Sequence, residues 1–399
     1  MANKTARELA FETLLKIEKE DSYSNLAISG VLKDETLESA DKAFFTHLVY
    51  GVIERLLTLD YNINLYLKNP KIKPNVRTIL RLSAYQVLFM ENIPDAAAIN
   101  EGVNLTKKYK LDYATGLTNA VLRKISQNGL IIPEDNDEIK YSCPKELIDM
   151  WTKDYGEENT KGILSHINKV PKTYIRINTT KVDLNNPTNT PTQVLTTIPD
   201  PNTDKYHVQD KSSQLCCEAL DPQPGERILD VCAAPGGKSF TIAQLMDNKG
   251  EVVARDIHEH RVKLIKDGAA RLGLSIINAG VGDAEVFDES LGIFDRVIAD
   301  VPCAGFGIIG RKPEIRYKSI SNIDYLNRLQ YNILTVSSRY LASKGTLVYS
   351  TCSLNKRENE EVVKKFLEKC KDFELITQKT IFPHTLDCDG FFYAVFKRH

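Results

Sequence analysis

The sequence predicts a multidomain protein with an all-α N-terminal domain, a small α+β middle extension and a C-terminal α/β domain built on a mostly parallel sheet. Three observations indicate this fold class. Apolar residues recur at helical spacing over the first 130 positions, residues 140–210 mix helical and strand patterns, and from residue 211 strand-like and helix-like runs alternate. A length of 399 residues suits two or three such domains.

The composition is that of an ordinary globular protein. Hydrophobic residues make up 42% and charged residues 26% of the chain, which excludes collagen-like, low-complexity and wholly disordered classes. The N-terminus lacks the apolar core of a signal peptide, and no run approaches the roughly 18 apolar residues of a membrane span. The eight cysteines form no C-x-x-C pair. We therefore expect a cytoplasmic monomer with reduced thiols, no metal site and no membrane partner.

The first two predicted regions are residues 1–130 and 140–210, joined by a linker at 129–137. Helical apolar stripes in the first region lie at 9–17, 44–53, 79–88, 97–109 and 114–125. In the second region we expect helices at 145–155 and 157–168, a strand at 173–178 and an exposed loop at 183–202. The loop is predicted because this segment is rich in Asn, Thr and Pro.

Residues 211–399 alternate between strand and helix patterns. Strands are predicted at 227–231, 251–255, 294–299, 345–350 and 391–397, with one more before Asp283. Helices are predicted at 238–246, 259–272, 323–341 and 359–370. Such alternation is typical of a mostly parallel sheet covered on both faces. Ligands bind at the carboxyl ends of strands in such sheets, so the residues that follow each strand are the candidate site.

The segment Asp-Val-Cys-Ala-Ala-Pro-Gly-Gly-Lys-Ser, at residues 230–239, is a small-residue turn that leads into a helix. A phosphate-binding P-loop is excluded because its first glycine would fall at Cys232, and the dinucleotide pattern G-x-G-x-x-G is absent. A nucleoside-type cofactor without phosphates fits better. Asp256, Asp283 and Asp300 stand at three successive strand ends, where carboxylates can accept hydrogen bonds from ribose hydroxyls and an adenine amino group.

Two cysteines directly follow predicted strands: Cys303 in Asp-Val-Pro-Cys and Cys352 in Ser-Thr-Cys-Ser. Neighbouring strand ends open into one crevice, so both thiols are expected to face the cofactor. A thiolate is a strong nucleophile, and an electron-poor carbon such as C6 of a pyrimidine is a fitting target. Attack there makes C5 nucleophilic toward a methyl donor. Asp300 can accept a hydrogen bond from the N4 amino group of cytosine.

These motifs, together with Asp-Gly-Phe-Phe-Tyr at residues 389–393, resemble the RNA cytosine-C5 methyltransferases that use S-adenosylmethionine. The helical first domain resembles the NusB-type RNA-binding domain. The combination is similar to the bacterial 16S ribosomal RNA cytosine-C5 methyltransferases of the Sun/Fmu family. The resemblance implies a Rossmann-like class I methyltransferase domain with a seven-stranded sheet, S-adenosylmethionine as cofactor and 16S ribosomal RNA as partner.

The resemblance also implies residue roles. Cys352 would be the nucleophile and Cys303 would assist proton removal from C5 and release of the adduct. Related DNA enzymes attack with the thiol of the Pro-Cys motif, so the opposite assignment stays open. S-adenosylmethionine would be held by Cys232, Ala233, Ala234, Pro235, Gly236, Gly237, Lys238, Asp256, Asp283 and Asp300, with Lys238 also near the reacting base. RNA would be contacted by Arg311, Lys312 and Arg316.

The charge distribution agrees with an RNA partner although the net charge is only -1. Basic residues outnumber acidic ones over 68–124, 161–181 and 304–345, so the neutral total hides local basic segments. Residues 183–207 are shorter and richer in Asn and Thr than is usual in the family. This departure leaves the RNA target open. The same chemistry on transfer RNA or 23S ribosomal RNA, or a catalytically silent RNA-binding module, are the alternatives.

Overall fold

A computed structural model describes residues 4–20, 24–34, 37–182 and 190–399. The chain divides into two units. The first comprises Met1–Met150 with Arg311–Lys318, and the second comprises Trp151–Gly310 with Ser319–His399. The finer division into domains at 1–130, 140–210 and 211–399 stays a prediction.

The first unit is built from helices around one apolar core. Its helices are α1 (Ala6–Glu20), α2 (Ser24–Asp34), α3 (Ser39–Glu54), α4 (Leu56–Asn64), α5 (Pro74–Phe89), α6 (Asp95–Lys108), α7 (Thr115–Asn128) and α8 (Asp137–Tyr141). The five apolar stripes fall in α1, α3, α5, α6 and α7, whereas α2 and α4 were not foreseen. Leu48, Ile79 and Leu122 are among the fully buried side chains of the core.

Helix α9 (Lys145–His166) follows, and its backbone leaves the helical region at Gly156, where φ is 81°. Glycine adopts this left-handed conformation at little cost, because it has no Cβ. The break separates the two helices predicted at 145–155 and 157–168, and both are confirmed.

A three-stranded antiparallel sheet with the order β2-β1-β3 precedes the main sheet. Its strands are β1 (Thr173–Ile177), β2 (Thr192–Leu195) and β3 (Tyr206–Val208). The predicted strand at 173–178 is confirmed. The loop predicted over 183–202 lies outside the described residues at 183–189 and is wrong at 192–195, where Thr192–Leu195 pairs with Arg176–Thr173. Pairing with a neighbouring strand here outweighs a composition typical of loops.

The main sheet has seven strands, as the resemblance implies, and their order is β6-β5-β4-β7-β8-β10-β9. They are β4 (Arg227–Asp230), β5 (Glu251–Asp256), β6 (Ile277–Val281), β7 (Phe294–Asp300), β8 (Leu341–Thr351), β9 (Phe373–Ile381) and β10 (Phe391–Arg398). The first five are parallel, and β10 is antiparallel to both β8 and β9. Strand β9 was missed because most of its side chains are exposed, so it lacks an apolar run.

Helices cover both faces of this sheet. They are α10 (Lys211–Leu220), α11 (Gly237–Leu245), α12 (Glu259–Leu272), α13 (Ile323–Ser338), α14 (Glu360–Lys369) and α15 (Pro383–Leu386). Successive side chains of β4 pack into two different apolar cores, with Ile228 in one and Leu229 in the other. The strand order reverses between β4 and β7, so the crevice that binds ligands in such folds opens there. Among the described residues, none of the helices combines the length and apolarity needed to cross a membrane.

Candidate active site

The turn after β4 has a shape that requires glycine. Gly236 has φ 113°, and a Cβ on it would lie 2.3 Å from the Phe240 ring. The turn is held by hydrogen bonds from the Ala233 amide to the Arg255 carbonyl (2.8 Å) and from the Gly236 amide to the Ala233 carbonyl (2.7 Å). Helix α11 starts at Gly237, and the amides of a first helical turn have no acceptor within the helix. The turn thus presents backbone donors at the carboxyl end of β4.

Asp230 lies beneath this turn as a buried carboxyl at the end of β4. The Ser239 hydroxyl donates a 2.7 Å hydrogen bond to its Oδ2. Burial raises the pKa of Asp230 to about 7, although the bond from Ser239 works in the opposite direction. The folded protein therefore binds a proton at this carboxyl over a pH range in which the unfolded chain does not.

We expect Asp230→Asn to remove a pH dependence of stability. The pKa of Asp230 is higher in the folded protein than in the unfolded chain. The free energy of unfolding therefore falls as the pH rises from about 4 to about 7. The variant should gain stability relative to the wild type over this range, by up to about 4 kcal/mol at neutral pH. Urea unfolding at several pH values measures the difference. A difference that does not grow with pH would contradict the expectation.

Two further carboxylates stand at the ends of β5 and β6. Asp256 is buried and accepts a 3.1 Å hydrogen bond from the His258 amide, and its Oδ2 lies 3.4 Å from the Arg261 guanidinium. Asp283 is exposed and accepts a 2.9 Å hydrogen bond from the Glu285 amide. A carboxylate has about four acceptor positions, so each retains capacity for hydroxyl or amino donors of a ligand.

Asp300, at the end of β7, forms a polar cluster with Lys238 and Ser350. The Lys238 ammonium lies 2.6 Å from Oδ2, and the Ser350 hydroxyl donates a 2.8 Å hydrogen bond to Oδ1. Burial is the largest single effect and works against the charged form of Lys238, but Asp300, Cys216 and Cys217 together hold the pKa of Lys238 above its ordinary value. The ammonium also lies 5.2 Å from the centre of the Phe391 ring. The cluster holds the orientation of the Asp300 carboxylate.

The two predicted thiols are brought together. Cys303 Sγ and Cys352 Sγ are 3.1 Å apart, at the ends of the neighbouring parallel strands β7 and β8. The hydrogen bond with Cys352, followed by burial, raises the pKa of Cys303 well above its ordinary value. Cys303 therefore keeps its proton at neutral pH and can donate it in a hydrogen bond to the sulfur of Cys352.

Sequence reasoning missed Glu358, which lies behind the two thiols. It is fully buried and accepts hydrogen bonds from the Ala304 amide (2.8 Å) and the Ser353 hydroxyl (2.7 Å), the residues that follow Cys303 and Cys352. In the sequence Glu358 is one of several acids in Arg-Glu-Asn-Glu-Glu, which is typical of an exposed helix start. The burial that distinguishes it has no signal in that pattern.

The predicted RNA contact at Arg316 needs correction. Arg316 lies in a short 3-10 helix (Pro313–Tyr317), and only 2% of its surface is exposed. Its Nη1 donates to the carbonyl oxygens of Glu54, Tyr141 and Ser142 at 3.2–3.3 Å. A guanidinium used in this way supports the helical unit and is not available to phosphates. Arg311 and Lys312 are half-buried and stay predicted RNA contacts.

We expect Arg316→Gln to destabilise the helical unit by about 2–4 kcal/mol, because it removes a buried guanidinium that donates to three carbonyls, of which that of Ser142 keeps a hydrogen bond from the Tyr317 hydroxyl. Loss of helical circular dichroism in urea measures this effect. Lys124→Gln, an exposed change in α7, is the matched control and should leave the midpoint unchanged. Equal midpoints for the two variants would contradict a structural role for Arg316.

Within the described ranges, no group of three or more His, Cys, Asp and Glu side chains is arranged to hold a metal ion.

The strand order and the glycine-containing turn after the central strand define a Rossmann-like methyltransferase fold. Residues 217–397 match the family model of the 16S rRNA methyltransferases RsmB/F, and residues 4–127 match that of the NusB family. The chain belongs to the ribosomal RNA small subunit methyltransferase B family, because it is 33–36% identical to curated members over nearly its whole length.

A probable ribosomal RNA small subunit methyltransferase B from Bacillus subtilis (strain 168) is 36% identical over 98% of both chains. One from Synechocystis sp. (strain ATCC 27184 / PCC 6803 / Kazusa) is 33% identical over 99% of both. The crystal structure of PH0851 is similar to this chain with a TM-score of 0.81, at 25% identity over 98% of both chains. The predicted fold class and the family resemblance are thus confirmed.

Proposed function

We propose that this chain transfers a methyl group from S-adenosylmethionine to C5 of an unpaired cytosine in 16S ribosomal RNA, through a covalent bond between Cys352 Sγ and C6 of the base. The observation that carries the proposal is the 3.1 Å separation of Cys352 Sγ and Cys303 Sγ. Both thiols follow strands at the carboxyl edge of the sheet, where Asp300 also lies. The family assignment supports ribosomal RNA as the substrate.

The residues at the strand ends fit S-adenosylmethionine. The first-turn amides of α11 suit its carboxylate, Asp256 suits the ribose hydroxyls and Asp283 suits the adenine amino group. The close approach of Gly236 to Phe240 keeps the turn free of side chains there. The proposed contacts are Cys232, Ala233, Ala234, Pro235, Gly236, Gly237, Lys238, Asp256, Asp283 and Asp300. When bound, S-adenosylmethionine supplies the methyl group as an electrophile.

Cys352 and Asp300 act on the base in the first step. The Cys352 thiolate forms a bond to C6, and the electron pair of the C5–C6 double bond then becomes available at C5 for the methyl group. Asp300 accepts a hydrogen bond from N4 and stabilises positive charge that develops at N3. Its bonds to Lys238 and Ser350 hold the carboxylate in one orientation, so little reorganisation is needed during the reaction.

Cys303 acts on the Cys352 sulfur and in the release step. While Cys352 attacks, the protonated Cys303 donates a hydrogen bond to its sulfur. After methyl transfer, C5 loses its proton, the electron pair restores the C5–C6 double bond, and the bond between C6 and Cys352 Sγ breaks. As that bond breaks, Cys303 passes its own proton to the Cys352 sulfur and takes up the proton that leaves C5, so it ends the step as a thiol again. Cys352 then releases its proton to solvent before the next attack.

The base must leave its stack for the thiol to reach C6, so the substrate is an unpaired or flipped cytosine. The test is bisulfite mapping of total RNA from a deletion strain and from the same strain carrying the gene. We expect one cytosine of 16S ribosomal RNA to lose its methyl group in the deletion strain and to regain it with the gene. Loss from transfer RNA or 23S ribosomal RNA, or no loss at all, would contradict the proposal.

A further inference from the structure

We infer that Glu358 is a positioning residue that holds the loops of Cys303 and Cys352 against each other and so sets the separation of the two thiols. The effect of Glu358 on catalysis rests on the proposed function. Its effect on the distance between the two thiols rests on the observed hydrogen bonds alone.

One oxygen of Glu358 holds the Cys303 loop. Oε1 accepts a 2.8 Å hydrogen bond from the Ala304 amide and a 2.9 Å hydrogen bond from Gln330 Nε2. Gln330 Nε2 also donates to the Pro302 carbonyl at 2.9 Å. The residues on both sides of Cys303 are therefore connected to the same carboxylate oxygen, one directly and one through Gln330.

The other oxygen holds the Cys352 loop. Oε2 accepts a 2.7 Å hydrogen bond from the Ser353 hydroxyl and a 3.3 Å hydrogen bond from Asn355 Nδ2. The neighbouring Asn359 continues this loop, because it accepts from the Thr351 hydroxyl (2.6 Å) and donates to the Ser353 carbonyl (2.8 Å). The residues that flank Cys352 are thus connected to the start of α14.

The sheet alone does not fix the thiols. The register between β7 and β8 ends at the pair Asp300 and Ser350, with one further bond from the Val301 amide to the Ser350 carbonyl, and the register between β8 and β10 ends at the pair Thr351 and Phe392. Beyond these pairs, the Gly307 amide donates to the Cys352 carbonyl at 3.0 Å, and Glu358 and Asn359 supply side-chain contacts. Since the Gly307 bond and the contacts of Asn359 remain without Glu358, its loss should weaken the arrangement and not abolish it.

The chemistry of the four contacts requires a carboxylate. All four partners of Glu358 donate hydrogen bonds, and an ionised carboxylate is the side chain that only accepts. A glutamine has the same shape, but its NH₂ group would face two donors. Buried charge-assisted hydrogen bonds of this kind are stronger than neutral ones, so the substitution disrupts at least one of the two loops.

The first test is steady-state methylation of 16S ribosomal RNA by Glu358→Gln. We expect kcat to fall by about 10- to 100-fold, because small displacements of reacting groups cost this much, with the affinity for S-adenosylmethionine changed less than about twofold. Glu361→Gln, an exposed change in the first turn of α14, is the matched control and should behave like the wild type. Wild-type kcat in Glu358→Gln would overturn the inference.

The second test does not depend on methylation. The oxidant diamide joins two adjacent thiols into a disulfide and is itself reduced to the hydrazide, and mass spectrometry measures the rate of Cys303–Cys352 cross-linking. We expect this rate to fall about tenfold or more in Glu358→Gln and to stay unchanged in Glu361→Gln. Equal cross-linking rates in Glu358→Gln and the wild type would overturn the inference. Absence of methyl transfer in the wild type would overturn the proposed function, but it would leave this test of the inference valid.

A milder variant covers the case in which Glu358→Gln does not fold. Ser353→Ala removes the 2.7 Å hydrogen bond to Oε2 and leaves the carboxylate in place. We expect a smaller loss in both kcat and cross-linking rate. Where both variants fold, their effects should be less than additive because they act on one contact. Wild-type values for Ser353→Ala in both assays, or full additivity, would count against the positioning role.

Discussion

Cys352→Ala is expected to lose methyl transfer by at least about 1000-fold, which is the scale on which removal of a nucleophile reduces turnover. Alanine keeps the backbone and removes the sulfur, so neither the cofactor residues after β4 nor the sheet should change. The measurement is transfer of labelled methyl groups from S-adenosylmethionine to 16S ribosomal RNA. Calorimetric titration with S-adenosylmethionine should give the wild-type affinity.

Cys370→Ala is the matched control for this prediction. Cys370 is a free cysteine at the end of α14 and has no part in the proposed reaction, so its removal should leave methyl transfer unchanged. Substantial activity in Cys352→Ala would contradict the assignment of the nucleophile. Loss of both activity and cofactor affinity would indicate that the substitution had disturbed the fold.

The features that sequence reasoning predicted well are those encoded locally. A helical apolar stripe such as that of α5 records which face is buried, and the turn before α11 needs small residues because the backbone comes close to Phe240. The two thiols were brought together by a topological rule, since parallel strand ends share one edge. Each of these inferences uses a few neighbouring residues and one general constraint.

The features that were missed depend on contacts between distant parts of the chain. Arg316 lies in a basic segment of the sequence, which is typical of phosphate binding. In the structure, however, it donates to three carbonyls from elsewhere in the helical unit. Glu358 lies in an acidic segment that is typical of an exposed helix start. In the structure, however, it accepts hydrogen bonds from the Cys303 and Cys352 loops, which lie far from each other in sequence. A charged residue in a sequence predicts an exposed side chain. Only the fold shows where a buried charged group has enough hydrogen-bond partners to be stable.

Cys303→Ala is expected to accumulate a covalent protein–RNA complex that survives denaturing electrophoresis. The variant retains Cys352, so the bond to C6 can form, but it lacks the thiol that assists proton removal from C5 and release. Incubation with S-adenosylmethionine and 16S ribosomal RNA should give about tenfold more complex than the wild type, together with loss of turnover. Alanine also removes the hydrogen bond that Cys303 shares with Cys352, so slower adduct formation is expected as well.

The double variant Cys303→Ala/Cys352→Ala is the control, and it should form no complex because neither candidate nucleophile is left. The identity of the trapped cysteine distinguishes the two assignments that the sequence leaves open. If Cys352→Ala accumulates the complex and Cys303→Ala does not, then Cys303 attacks C6, as in the related DNA enzymes, and the roles are exchanged. Because the two sulfurs are only 3.1 Å apart, an exchange of their roles would require only a small shift of the base. Either sulfur can donate the hydrogen bond between them, so the variant that traps the complex decides which thiol attacks C6.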